Sequence, residues 1–284
     1  MSEQSFTFDA SDGTRISAWR RDAQGPAKVV LQISHGMGEH ALRYAAPLAP
    51  LQAAGIAIYA NDHRGHGRTA TMLGDFGPGG FAGVVDDMAV LSRLARRENP
   101  GAKLVLMGHS MGSFALQIYL LQHSGLIDAA VLSGSAALDM LPPPDPSGNA
   151  LEAFNKPFEP ARTPFDWLSR EAAEVDKYIA DPLCGFSMNE ASMMSLFVAA
   201  QPLFAPDALK AIRPDLPLYL FAGDRDPLNA GLTALMPLVQ RYRDAGVRDV
   251  THDFYPGGRH EMLNETNREE VVRNLLRFVM RFAH

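Results

Sequence analysis

Residues 104–113 read Leu-Val-Leu-Met-Gly-His-Ser-Met-Gly-Ser. The apolar run from Leu104 to Met107 is short and continuous, as a buried strand is, and it breaks at Gly108. Phe114 to Gln122, which follow, are helix-permissive, so the local order is strand, sharp turn, helix. The Gly-x-Ser-x-Gly spacing has a steric meaning in that setting. The serine takes a strained backbone conformation, and side chains at Gly108 or Gly112 would collide with the neighbouring strand or helix. Such a turn pushes one hydroxyl outward and makes Ser110 the candidate nucleophile.

The flanking sequence repeats the strand and helix alternation. Ser5 to Asp9 and Arg15 to Arg20 alternate around an Asp12-Gly13 turn and predict an antiparallel hairpin. Lys28 to Ser34 predicts a buried strand ending in His35-Gly-Met-Gly-Glu-His40, Tyr44 to Ala54 a helix stopped by Gly55, and Ile56 to Ala60 a further strand. Phe81 to Arg97 has helical spacing, and Ala129 to Ser133 is again an apolar strand. Strands alternating with helices define an α/β fold with a mostly parallel sheet. The alternation stops at Pro142-Pro-Pro-Asp-Pro-Ser-Gly148, which cannot be helix or central strand and introduces short helices punctuated by prolines, an apparent insertion. The sheet resumes at Pro217 to Gly223, and Asp249 to Tyr255 leads to Pro256-Gly-Gly-Arg-His-Glu261. Glu269 to Phe282 predicts a closing amphipathic helix.

Composition excludes several classes of function. In 284 residues, 46% are hydrophobic and 20% charged, an ordinary globular balance with material for a large core. A net charge of -6 offers no basic surface for nucleic acid and no general attraction to anionic membranes. The first residues lack a signal-peptide pattern and no apolar run approaches 18 residues, so the expectation is a cytoplasmic protein. The single cysteine, Cys184, has no internal disulfide partner and reads as a small buried hydrophobe. Asn61 to Ala70 contains a formal Gly-x-Gly-x-x-Ala, yet the Gly- and Pro-rich Leu73 to Gly83 follows where a dinucleotide site needs a helix at once. That segment is read as a structural turn tied down by His63, Arg64 and His66.

A serine hydroxyl needs an imidazole to take its proton and a carboxylate to fix the imidazole's tautomer. His260, in a Gly-rich loop after the last predicted strand, is the candidate base. The acid is Asp226 or Asp224, and Pro227, which fixes the backbone beside it, favours Asp226. The order Ser110, Asp226, His260 suits a parallel α/β sheet, whose strand ends carry all three. Oxyanion donors are expected from the amides of Met111, after the nucleophile, and Met37, in the first Gly-rich loop. No cluster has metal-ligand spacing, since the His260-Glu261 pair lacks a second histidine at position 264, and neither a metal nor a cofactor is predicted. Within the insertion, Met188, Met193, Met194 and Phe197 belong to an apolar stripe between Phe186 and Phe204. Such a stripe is commonly core, but a short insertion has little core of its own, and methionine suits deformable apolar sites. These four are the candidates for the underside of a cap that receives an acyl chain.

Five blocks together carry a family resemblance: His35-Gly-Met-Gly-Glu-His40, Asp62-His-Arg-Gly-His-Gly67, Gly108-His-Ser-Met-Gly-Ser113, Gly223-Asp-Arg-Asp226 and His260-Glu-Met-Leu-Asn-Glu265. They resemble the monoacylglycerol lipase and lysophospholipase branch of the α/β-hydrolase superfamily, among the serine aminopeptidase S33-like hydrolases. The resemblance implies an eight-stranded, mostly parallel sheet flanked by helices. Residues 1–137 and 206–284 would form the hydrolase core, and residues 138–205 a helical cap inserted after the sixth strand. It implies hydrolysis of carboxylic esters of a small-molecule or lipid substrate through an acyl-enzyme, at most transient membrane contact through the cap, and Asp226 as the acid, three residues after the glycine. A general short-chain esterase, a small-peptide hydrolase and a noncatalytic ligand-binding protein of the same fold are the alternatives. Oligomeric state is not legible.

Overall fold

The computed structural model describes residues 3–141 and 150–283, so Pro142 to Gly148 lies outside the described residues. The strands are β1 (Gln4–Asp9), β2 (Arg15–Arg21), β3 (Val29–Ser34), β4 (Ile56–Asn61), β5 (Lys103–His109), β6 (Ala129–Ser133), β7 (Leu218–Gly223) and β8 (Val250–Tyr255). The helices are α1 (Ala49–Ala53), α2 (Gly80–Glu98), α3 (Met111–His123), α4 (Ala150–Ala153), α5 (Ala172–Ala180), α6 (Glu190–Ala200), α7 (Met236–Asp244) and α8 (Arg268–Val279). One eight-stranded sheet has the order β1-β2-β4-β3-β5-β6-β7-β8. β2 pairs antiparallel with β1 and β4, and all other neighbours are parallel.

The central strands are buried on both faces, which is why they read as continuous apolar runs rather than alternating ones. Their side chains still sort with period two. Leu104 and Leu106, Ala130 and Leu132, Leu218 and Leu220 pack with residues of α2, α3 and α7. Val105 and Met107, Ala129 and Val131, Tyr219 and Phe221 pack on the opposite face with residues of α1 and α8. The amphipathic α2 and α8 therefore sit on opposite faces, as their apolar stripes require.

The predicted helix over Tyr44 to Ala54 is instead a 3-10 turn at Ala41–Tyr44, a run of turns, and the short α1. Pro47 and Pro50 explain the difference, since each removes an amide donor and is tolerated only at a helix start. The segment after β4 is a run of turns, as expected. Arg64 lies inside it with its side chain only 4% exposed, donating from Nε and Nη2 to Asp87 at 2.7 and 2.9 Å and from Nη1 to Asp12 at 2.6 Å. Burial pushes the Asp87 carboxyl above its ordinary pKa despite the pull of Arg64.

Between β6 and β7 the chain leaves the sheet and forms α4, α5 and α6. α6 is anchored to the core through polar contacts: Ser192 Oγ accepts from Phe76 N at 2.9 Å, and Ser195 Oγ from Phe81 N at 3.0 Å, where it satisfies a free amide in the first turn of α2. None of the helices among the described residues is long and apolar enough to cross a membrane.

Removing one partner of a buried ion pair leaves an uncompensated charge. Arg64→Met is expected to lower the unfolding free energy by about 3–5 kcal/mol in urea denaturation. Adding Asp87→Leu to that variant is expected to restore most of the loss.

Candidate active site

Ser110 caps β5 and starts α3 with φ 51° and ψ -124°. A Cβ on Gly108 would run into the Gly112 backbone, and one on Gly112 into the carbonyl oxygens of Ser34 and His35, so both positions require glycine. The strained residue is held by its own peptide groups. Ser110 N donates to Ser133 O at 2.9 Å, and Ser110 O accepts from Ser113 N at 2.8 Å and Ser113 Oγ at 2.6 Å.

The His260 loop follows β8 and reaches back over the sheet edge. His260 is 2% exposed and its Nδ1 lies 2.9 Å from Asp226 Oδ2; Asp226 is wholly buried, with its other oxygen accepting from Leu228 N at 2.9 Å. Asp224 faces elsewhere and accepts from Gly257 N at 2.7 Å, bracing the turn below the histidine loop. With Nδ1 committed to Asp226, Nε2 is the ring nitrogen left for a partner. Ser110 and His260 line one cavity. No hydrogen bond joins Ser110 Oγ to the imidazole among the described residues; in resting sites that contact is commonly long and tightens on substrate binding.

Burial acts to lower the His260 pKa, but the adjacent Asp226 carboxylate, by charge and hydrogen bond, and then Glu261 and Glu39 outweigh it and raise the imidazole above its ordinary value of 6.5. Its neighbour His109, 4.7 Å away ring to ring, goes the other way: burial and the charge of His260 depress it to about 4. The two imidazoles differ because only His260 is hydrogen-bonded to a carboxylate, whereas His109 Nδ1 meets the Ser133 hydroxyl at 3.1 Å.

The first Gly-rich loop passes close to Ser110; a Cβ on Gly36 would stand 3.1 Å from Ser110 Cβ. Its groups are pinned one by one. Gly36 N donates to Glu39 Oε1 at 2.6 Å, Gly36 O accepts from His35 Nδ1 at 2.8 Å, Gly38 N donates to His66 Nε2 at 3.3 Å, and Ala41 N donates to Asp62 Oδ1 at 2.9 Å. His35, His63 and His66, with the His35 ring tilted against the other two, are neutral struts whose pKa values burial lowers, that of His66 to about 3. Met37 and Met111 line the cavity beside Ser110, Met111 as the first residue of α3, where a helix amide has no intrahelical acceptor.

The cavity has a volume of about 280 Å³ and largely apolar walls. Of the four expected cap residues, Met193 and Phe197 line it. Met194 and Met188 do not. On an α-helix, positions 193 and 197 share a face, whereas 194 is rotated about 100° away and is 50% exposed. Met188 precedes α6 and is buried in the apolar core beneath it. Sequence reasoning missed Trp167, Leu168, Tyr178, Leu151 and Phe154 in the wall, because they come from separate short helices and turns whose placement over the sheet no local signal gives. The Trp167 ring lies 4.9 Å from the His260 ring, and Trp167 O and Leu168 O accept from the amides of His260 and Glu261.

One group among the described residues brings metal-ligating atoms within 4.8 Å of one another: His40, Asp181 and Cys184. His40 and Asp181 already satisfy each other at 3.0 Å, and burial pushes the half-buried Cys184 thiol up, away from the thiolate a metal requires.

A mostly parallel sheet with a serine on a strand-to-helix elbow, and a histidine and aspartate delivered by later strand ends, is an α/β-hydrolase. The family model described as "Serine aminopeptidase, S33" matches residues 25–267, and the chain belongs to that family. It is 30% identical over 282 residues to a protein named monoacylglycerol lipase from Mycolicibacterium smegmatis, covering 96% of each chain. With a monoglyceride lipase from Homo sapiens it shares 28% over 258 residues, 85% of this chain and 78% of that one. Among solved structures, a highly thermostable carboxyl esterase from Bacillus coagulans in complex with glycerol matches over 100% of both chains with a TM-score of 0.89 and 25% identity.

The His260 imidazole is expected to titrate above 6.5 in a ring-nitrogen NMR titration. Asp226→Asn removes the largest influence raising it and is expected to move the midpoint down; an unchanged midpoint would show that the pair does not control the ring.

Proposed function

We propose that this chain hydrolyses carboxylic esters bearing a single acyl chain, of the monoacylglycerol or lysophospholipid type, through an acyl-enzyme on Ser110. The observation that carries the proposal is the apolar cavity of about 280 Å³ that Ser110 and His260 share, which suits one hydrocarbon chain leading to an ester carbonyl.

Ser110 Oγ attacks the carbonyl carbon while His260 Nε2 takes the hydroxyl proton, and Asp226 holds the imidazole in the required tautomer and stabilises its cation. The carbonyl oxygen gains negative charge facing the amides of Met37 and Met111, donors whose position before reaction means no reorganisation as charge develops. Collapse breaks the bond to the alcohol oxygen, which takes the proton from His260 and departs. Water then attacks the acyl-enzyme, giving its proton to His260; the bond from the acyl carbon to Ser110 Oγ breaks, His260 returns the proton to Oγ, and the fatty acid leaves.

Residues 138–205 act as a cap, with Met193 and Phe197 in contact with the acyl chain. Met194 and Val198, one helical turn apart and 50% and 67% exposed, face outward and suit transient contact with aggregated substrate.

With p-nitrophenyl esters from acetate to palmitate, the wild type is expected to prefer chains longer than acetate, whereas Ser110→Ala loses about 10⁵–10⁶ in kcat. Silence of the wild type on every ester would overturn the reading, and a preference for acetate would favour a short-chain esterase. Met193→Gln and Phe197→Gln are expected to raise KM for long-chain esters by about tenfold or more and to leave acetate little changed. Because His260 must be neutral to accept the proton, kcat/KM is expected to rise with pH through a midpoint above 6.5.

A further inference from the structure

The loop beside Ser110 and the loop carrying His260 are joined at one buried side chain. Arg43, its side chain 12% exposed, donates from Nη1 to Glu39 Oε2 at 2.6 Å and grips Glu261 bidentately, Nη1 to Oε1 at 2.6 Å and Nη2 to Oε2 at 2.7 Å. The two carboxylates point the link in opposite directions. Glu39 Oε1 receives Gly36 N at 2.6 Å and Tyr44 OH at 2.7 Å, so it shapes the peptide next to Met37. Glu261 adjoins His260 in sequence and receives Asn264 Nδ2 at 2.9 Å.

We propose that Arg43 is a positioning residue that locks the oxyanion loop to the histidine loop through Glu39 and Glu261, so that the donors of one and the base of the other keep a fixed distance. This rests on the hydrolase reading above. The guanidinium is suited to the task because its planar fork engages both carboxylates at once, and the point charge of a lysine cannot. Burial disfavours the charges of Arg43 and Glu39, yet Arg43 is held ionised by Glu261 and Glu39, and Glu39 by Arg43, which leaves the Glu39 carboxyl at about 2. Two carboxylates against one guanidinium leave a net negative charge behind the imidazole. The groups facing His260 are Asp226, Glu261, Glu39 and His109, of which the three carboxylates favour its cation. The cap takes part as well, because the Tyr178 ring lies against the Arg43 guanidinium at 4.8 Å.

The test compares wild type, Arg43→Lys and Glu261→Gln on p-nitrophenyl butyrate, with thermal unfolding of each. Misplacement by about 1 Å can cost on the order of 10²-fold in rate, so Arg43→Lys is expected to lower kcat by about 10–100-fold with KM changed less than twofold. Glu261→Gln keeps the shape of the side chain and is expected to lower kcat and also to shift the acid limb of kcat/KM to lower pH. Hydrogen exchange at the Gly36 amide is expected to quicken in both variants. Folded variants that keep wild-type kcat, pH midpoint and Gly36 exchange would overturn the proposal, even if their melting temperatures fall. Should Arg43→Lys fail to fold, Glu261→Gln decides alone. Absence of hydrolysis by the wild type counts against the esterase reading, and the Gly36 exchange together with the His260 NMR midpoint still decides the coupling.

Discussion

Ser110 is held in a left-handed backbone conformation that costs on the order of 1–3 kcal/mol for a residue with a side chain, and the rest of the site is arranged around keeping it there. β5 is central in the sheet, between β3 and β6, so its end cannot drift. The turn is closed by the bond from Ser110 N to Ser133 O and by Ser113 returning to Ser110 O. Close approach of α3 to the end of β3 is possible only because Gly112 has no side chain to meet the Ser34 and His35 carbonyls. That contact also sets where the His35 to His40 loop begins, and hence where its amides lie relative to the serine.

Polar chemistry at the strand ends is sorted by burial and partner rather than by residue type. His35, His63 and His66 are buried without a carboxylate against the ring; they stay neutral and serve as directed donors and acceptors that pin loops. His260 is equally buried but faces Asp226, so its cation is favoured. The same imidazole is therefore kept neutral or favoured as a cation according to whether a carboxylate is hydrogen-bonded to its ring. Glu39 shows the converse, a buried carboxylate kept ionised by Arg43 and used to orient a peptide amide.

The parts of the fold that were legible in the amino-acid sequence are those with local causes. The hairpin follows from alternation around Asp12-Gly13, the inner strands from apolar runs, and α2 and α8 from long stripes of helical period. Reading failed where two local signals competed. Apolar spacing over Tyr44 to Ala54 suggested a helix, but Pro47 and Pro50 cut it to a 3-10 turn and a single short helix. In the insertion, composition identified an apolar stripe but not its phase, so Met188 and Met194 were grouped with Met193 and Phe197 although only the latter two face the cavity. Trp167 carried no signal, since its place beside His260 depends on how a segment without regular period folds over the sheet.

By itself, the sequence determined the order of elements, the elbow at Ser110 and the residue types available for its chemistry, because steric demands at Gly108 and Gly112 and hydrophobic periodicity act over a few residues. Which groups meet was decided only by the tertiary structure. Asp226 rather than Asp224 faces His260 because the two side chains leave the turn after β7 in different directions, one to the imidazole and the other to the Gly257 amide. Arg43 and Glu261 are 218 positions apart, and nothing local to either predicts the other. Their pairing follows from assembling the sheet, whose parallel strands β3 and β8 end at one rim where buried charges must find partners.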